Sequence, residues 1–247
     1  MSAPRLRVSR TQQGEFVLAR AAGHLDLRSY PDLRDGLLKS AVDADALIAD
    51  ISELEIDDPA LTSVFALVAL RIGDWPAVPF AVVSERPDHR ALLRNRTVDR
   101  LTRVEASVDG AAAVLDRPPQ LRVQREIPRS TGAAVRARES VREICEDWAV
   151  PGLIDDAKSV VTELVENALQ HTDSTPRLRL ELRRNRCTVA VTDDDPRPAV
   201  LRERLANAGG GLGLKLVAQL SRVWGCSPRW TGGKVVWAVL EVSGTSG

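Results

Sequence analysis

Glu163, Asn167 and His171 recur at four-residue intervals in the run Val160–His171, VVTELVENALQH. At 3.6 residues per turn they line one edge of a helix, while Val161, Leu164, Val165 and Ala168 line an apolar face. A carboxylate and a carboxamide at i and i+4 can face one cleft. There the amide oxygen is a hard ligand for a divalent cation, and the carboxylate can orient or deprotonate a hydroxyl nucleophile. A solvated surface helix has the same spacing, so this stretch alone does not decide its use. His171 is read as structural.

Two later stretches add chemistry of a different kind. Residues 189–193, Val-Ala-Val-Thr-Asp, read as a strand ending in a carboxylate, and Asp194, Asp195 and Pro196 make a turn. Asp193 at a strand end is placed to accept a hydrogen bond from an exocyclic amine such as adenine N6. The loop Gly209-Gly210-Gly211-Leu212-Gly213 then opens an apolar-periodic helix through Leu214, Val217 and Leu220. Glycines there let backbone N–H groups and a helix N-terminus approach phosphate oxygens with no Cβ in the way. Lys215, just past the glycines, either reaches a phosphate or is solvated.

The elements that must position these residues follow in order. Leu121–Ile127 alternates as a strand, and after Pro128 a helix carries Val135, Val141, Ile144, Cys145 and Trp148, with Ser130 as its N-cap. Pro151-Gly152 breaks it, and Ile154 begins the Glu/Asn helix. Leu178–Leu182 and Cys187–Val191 pair as a hairpin, and Trp230–Val242 closes the sheet with Gly232-Gly233 at the turn. Upstream, residues 5–8 and 15–21 read as strands, Leu33–Val42 as a helix, Ala46–Ile51 as a buried strand, Leu61–Ile72 as a helix, Pro79–Val83 as a strand and Ala91–Leu101 as a helix. Strand and helix alternate throughout, which predicts α/β layers with helices packed on sheets.

The chain has 247 residues, enough for two modest domains, and 34 basic residues balance 34 acidic ones. No basic surplus points to nucleic acid or to a membrane surface. Cys145, Cys187 and Cys226 lie far apart without C-x-x-C spacing, and read as free thiols rather than a zinc site or a disulfide framework. The start of the chain lacks a hydrophobic signal core, and no apolar run approaches the ~20 residues of a membrane span. A cytoplasmic protein is expected.

The order ELVENALQH (163–171), VAVTDDDPRP (189–198), GGGLGLKLV (209–217) and GGKVVWAVL (232–240) resembles the Bergerat-fold ATPases, the histidine kinase, gyrase and Hsp90 superfamily. Within it the chain is similar to the anti-sigma factor serine kinases. The resemblance implies ATP and Mg2+ as cofactors, with Asn167 binding the metal and Asp193 recognising adenine. It implies that Gly209, Gly211 and Gly213, with Leu212 and Lys215 between and beside them, close on the phosphates, and that Glu163 is the general base. Three departures stand out: Asp195 where many members have glycine, Val235 where a threonine often holds an adenine-linked water, and a short lid segment, Arg197–Ala208.

The N-terminal part resembles a STAS domain, the fold of anti-sigma factor antagonists, through GHLDLRSYPDLRDGLL (23–38) and LIADISELEIDD (47–58). Regulated members carry a serine after an Asp in the second of these loops. Here Asp58 is followed by Pro59 and Ala60, neither with a hydroxyl, and the nearby Thr62 and Ser63 read as structural. The sequence does not decide whether Asp57 and Asp58 mimic a phosphorylated state.

The fold expected is therefore α/β in two domains: a STAS-like layer fold over 1–116, a linker at 117–120, and over 121–247 a histidine kinase-like sandwich with helices on a mixed sheet. The resemblance implies a partner-switching serine/threonine kinase acting on an antagonist, with a sigma factor or a STAS-type antagonist as partner, an intramolecular STAS contact, and a homodimer among the states it allows. A non-catalytic nucleotide-binding module that sequesters its partner is the alternative.

Overall fold

A computed structural model of the chain describes residues 5–95, 98–115, 121–183, 185–197 and 213–242. It divides into two compact units, Met1–Arg117 and Pro118–Gly247. The proposed linker, 117–120, lies outside the described residues.

In the first unit β1 (Arg7–Gln13) and β2 (Phe16–Leu25) form a hairpin whose two-residue loop places Gly14 at φ +55, a left-handed turn position that glycine fills without strain. Then follow α1 (Tyr30–Ala41), β3 (Leu47–Asp50), β4 (Leu54–Ile56), α2 (Ser63–Asp74), β5 (Phe80–Val83), α3 (Pro87–Asn95), β6 (Arg103–Glu105) and α4 (Val108–Val114). The sheet runs β1-β2-β3-β5-β6 with β4 also beside β2, and every pair except β1–β2 is parallel. Parallel strands are covered on both faces, so their sequences are apolar throughout rather than alternating. Leu47 and Ala49 of β3 accordingly pack with Leu33 and Leu37 of α1 and Phe65 and Val68 of α2, while Ile48 packs with Ala111 of α4 on the other side.

The loop before α2 is tightly tied. Asp58 accepts a hydrogen bond from the Ala60 amide at 2.8 Å, and the fully buried Thr62 donates its hydroxyl to the Pro59 carbonyl at 2.7 Å. A 3-10 turn over Pro59–Thr62 precedes the helix expected from Leu61, so α2 proper starts at Ser63, whose side chain is exposed. The short β4, β6 and α4 were not read from the sequence, because three strand residues are too few to show a period.

In the second unit the order is β7 (Leu121–Glu126), α5 (Ala133–Asp147), α6 (Ile154–His171), β8 (Arg177–Arg183), β9 (Arg186–Asp193), α7 (Gly213–Leu220), β10 (Val223–Pro228) and β11 (Lys234–Glu241). The expected layering of helices on a sheet holds, with the strands in the order β10-β11-β9-β8-β7. The four neighbouring pairs run antiparallel rather than mixed, because hairpins join β8 to β9 and β10 to β11. Inner residues Leu178, Leu180, Cys187, Val189, Val191, Val236, Ala238 and Leu240 pack against Val141 and Ile144 of α5 and Val161, Leu164 and Val165 of α6. Cys145 and Cys187 are buried in this core as free thiols; burial pushes them up to about 11 and about 12.

Two boundaries differ from expectation. Helix α5 starts after Gly132, while the Ser130 hydroxyl accepts the Gly132 N–H at 3.2 Å and also contacts the Arg136 guanidinium, so Ser130 closes a turn before the helix rather than capping it. The closing strand pair begins at Val223, and Trp230 lies in its turn; β10, with Gly225 and Pro228 inside it, carries little strand signal of its own.

Candidate functional site

Helix α6 opens with Asp155 and Asp156 in its first turn, where the helix dipole favours negative charge. At its other end Arg129 gathers loose carbonyls, donating to those of Leu169 at 3.3 Å, Ser174 at 3.4 Å and Thr172. Its buried face of Val160, Val161, Leu164, Val165 and Ala168 presses the helix onto the sheet and leaves Glu163 and Asn167 half-buried at the margin. His171 is exposed; its carbonyl accepts from Arg197 at 3.5 Å.

The Oδ1 atom of Asn167 is buried and has no hydrogen-bond partner among the described residues. A buried carbonyl left unsatisfied costs about 1–3 kcal/mol, and a hard cation is one of the few partners that removes that cost without donating a proton. One turn earlier, burial raises the Glu163 carboxyl above the ordinary glutamate value, and the neighbouring charge of Glu166 adds to the rise. A base poised closer to neutrality suits proton abstraction from a hydroxyl. Gly213, the first residue of α7, lies directly on this carboxylate: a Cβ at Gly213 would overlap Oε2 of Glu163. Two of the expected site residues, 50 positions apart in the chain, therefore meet.

Asp193 ends β9 with 1% of its surface exposed. It continues the Cys187, Val189, Val191 series, so it sits on the side of the sheet that α6 covers. Its Oδ1 accepts from the Lys234 ammonium at 2.8 Å and from the Asp195 amide at 2.9 Å, while Oδ2 is buried with no hydrogen-bond partner among the described residues. Gly233, at φ +72, brings the β10–β11 turn against this strand end; a side chain there would strike the Asp193 carbonyl.

Lys234 is the functional candidate that sequence reading missed. Val235 was read as standing where a threonine often holds an adenine-linked water, and the register pairs Lys234 with Asp193 and Val235 with Thr192. Cross-strand partners share a face of the sheet, so the side chain next to the carboxylate is a lysine and Val235 points the other way. Counting residues outward from the Gly232-Gly233 turn would have found it.

Asp195 stands where many members of the resembled family have glycine, and Arg197 grips its carboxylate with Nε at 3.0 and 3.1 Å and a terminal nitrogen at 2.9 Å. That guanidinium, helped by the Arg197 amide, holds the Asp195 carboxyl well below the usual carboxylate range. The Asp195 carbonyl accepts from Lys234 at 3.2 Å, so Arg197, Asp195, Lys234 and Asp193 form one chain of contacts reaching back to the end of α6. Lys215 is exposed on α7. Gly209, Gly211, Leu212 and the lid segment beyond Arg197 lie outside the described residues.

Residues 152–244 match the family of histidine kinase-, DNA gyrase B- and HSP90-like ATPases. Among solved structures, the N-terminal part is similar to an anti-sigma factor antagonist from Mycobacterium paratuberculosis, at 19% identity and a TM-score of 0.40 over 47% of this chain and 98% of that one. The anti-sigma factor antagonist SpoIIAA in its unphosphorylated form is similar at 15% identity and a TM-score of 0.35, covering 43% of this chain and 93% of that one. The RsbU and RsbW domains of a Mycobacterium tuberculosis protein are similar at 18% identity and a TM-score of 0.37, covering 75% of this chain and 48% of that one. No curated protein matches the sequence. Among the described residues no helix is long and apolar enough to cross a membrane.

Proposed function

We propose that residues 121–247 bind ATP with Mg2+ and transfer its terminal phosphoryl group to a serine or threonine hydroxyl of an anti-sigma factor antagonist, as one arm of a partner switch with a sigma factor. The observation that carries this reading is the pair of unsatisfied buried oxygens, Oδ1 of Asn167 on α6 and Oδ2 of Asp193 on β9, both on the helix-covered side of one sheet. Asn167 supplies the protein ligand to the metal, and Asp193 accepts the base amine. Asn167 would be the chain's own ligand to a bound Mg2+, which would supply charge neutralisation at the phosphates.

The chain's own residues do the rest. Gly209, Gly211 and Gly213 would let backbone amides close on phosphate, with Leu212 between them, and Lys215 lies in the first turn of α7 as a further cation. Glu163 takes the proton from the incoming hydroxyl onto its carboxylate, leaving the oxygen free to attack. The N-terminal unit is a regulator held in cis rather than a standard substrate, because Pro59 and Ala60, which follow Asp58, carry no hydroxyl and Thr62 is buried with its hydroxyl donated to the Pro59 carbonyl.

The test is calorimetric titration of the full chain with ATP, with and without Mg2+, on wild type and Asn167→Ala. Wild type is expected to gain affinity from Mg2+, and the variant to lose that gain by about tenfold or more, the size of a lost charge-assisted contact. ATP affinity indifferent to Mg2+ in wild type would sink the metal role. Tight Mg2+-dependent binding with no phosphate transfer to any antagonist, in wild type as in Glu163→Ala, would leave a nucleotide-gated sequestering module instead of a kinase.

A further inference from the structure

Lys234 is a buried ammonium, 2% exposed, at a place where a threonine or valine would fit a β-strand at lower cost. Charge balance explains why it is tolerated. Asp193 and Lys234 neutralise each other, as do Asp195 and Arg197, so the four residues carry no net charge. Tolerance is not use, and the hydrogen-bond inventory of the site suggests a use.

An ammonium carries three protons. Two are committed, to Asp193 Oδ1 at 2.8 Å and to the Asp195 carbonyl at 3.2 Å. The third has no acceptor within hydrogen-bond distance among the described residues; Asp195 Oδ2 stands 3.7 Å away. Beside it, Asp193 Oδ2 is a buried acceptor with no donor among the described residues. One fixed donor and one fixed acceptor, bonded to each other through Oδ1, thus both have an open position. The amide of Asp195 and the ammonium both hold Oδ1, so the carboxylate cannot turn to exchange its two oxygens without breaking both contacts.

A ligand edge that fills both positions offers a donor and a lone pair on neighbouring atoms. The Watson–Crick edge of adenine does so, with the N6 amine as donor and N1 as acceptor. Resting on the ATP reading proposed above, we propose that Lys234 reads adenine N1 directly while Asp193 Oδ2 takes N6, so that this chain selects its nucleotide by a lysine–aspartate pair. Lys234 is then a specificity-determining residue that touches the base, and Asp195 and Arg197 are positioning residues behind it.

The deciding experiment compares Mg2+ complexes of ATP, 1-deaza-ATP, which lacks the N1 acceptor, and GTP, each titrated into the full-length wild-type protein. The expected result is a roughly tenfold loss for 1-deaza-ATP, the range of a hydrogen bond to a charged donor, and a larger loss for GTP, which places O6 against the carboxylate and N1–H against the ammonium. If ATP binds and 1-deaza-ATP binds equally well, the role of Lys234 is overturned while the nucleotide site stands. GTP binding as tightly as ATP would overturn the adenine reading of the pair. Absence of binding by all three would overturn the proposed function and this inference with it. Lys234→Met gives a second check: ATP and 1-deaza-ATP should bind it equally, whatever its absolute affinity. Because that variant leaves Asp193 without its cation and could fold poorly, the wild-type ligand series decides alone.

Discussion

In the second unit, Asn167 Oδ1 and Asp193 Oδ2 have no hydrogen-bond partner among the described residues, whereas in the N-terminal unit the buried His89, 3% exposed, has Nδ1 at 3.1 Å from the Ser84 hydroxyl. Burial is the main cause that lowers the His89 pKa below its ordinary 6.5, with the Arg86 charge adding to it. The folded state therefore holds this ring neutral where the unfolded chain takes up a proton. Stability from His89 is complete above pH 6.5 and is lost as pH falls through the window below it, with a slope of at most about 1.4 kcal/mol per pH unit. Urea midpoints at pH 7.5 and 5.5 should differ more for wild type than for His89→Gln; equal differences would contradict a neutral buried ring.

Helix packing sets the distance between chemistry-bearing residues. The start of α7 lies against the middle of α6, and the contact point is Gly213 on Glu163. A methyl group added there has no space of its own, so Gly213→Ala must shift either the carboxylate or the first turn of α7. Overpacking of this kind costs about 1–3 kcal/mol. The expected outcome is a drop in phosphate transfer and in ATP affinity for Gly213→Ala. Gly152→Ala, where an added Cβ meets nothing within 4 Å, should leave both unchanged. Equal activity in the two variants would show that Glu163 and the head of α7 do not act together.

At the scale of the whole molecule, the apolar clusters divide cleanly. The clusters built on Phe65 and on Ile48 use residues of the first unit, and the cluster built on Leu164 uses residues of the second. Each unit thus has a core of its own, the condition for folding alone. A fragment of residues 121–247 is expected to unfold cooperatively and to bind Mg2+-ATP within about threefold of the full chain, because every contact invoked for the nucleotide lies inside it. A short linker would hold the N-terminal unit at a millimolar-range effective concentration. If that unit regulates in cis, the fragment should bind an external antagonist more tightly than the full chain does. Equal binding of the antagonist would rule the regulation out, and a fragment without a cooperative transition would rule out the domain division.

Whatever depends on neighbours in the chain was legible in the sequence. The 3.6-residue spacing of Val161, Leu164, Val165 and Ala168 placed Glu163 and Asn167 on one edge of α6, and the alternation of 189–193 set Asp193 at a strand end. Those patterns are local, and burying an apolar face forces them. The partners of these residues come from far along the chain: Lys234 is 41 positions from Asp193 and is brought to it by the register of β9 with β11, and Gly213 reaches Glu163 only when α7 docks on α6. Which oxygen of Asp193 is taken and which stays open, and that Asp195 is neutralised rather than repulsive, follow from burial and cross-strand pairing. Those are properties of surfaces brought together in folding, and no single stretch of sequence contains them.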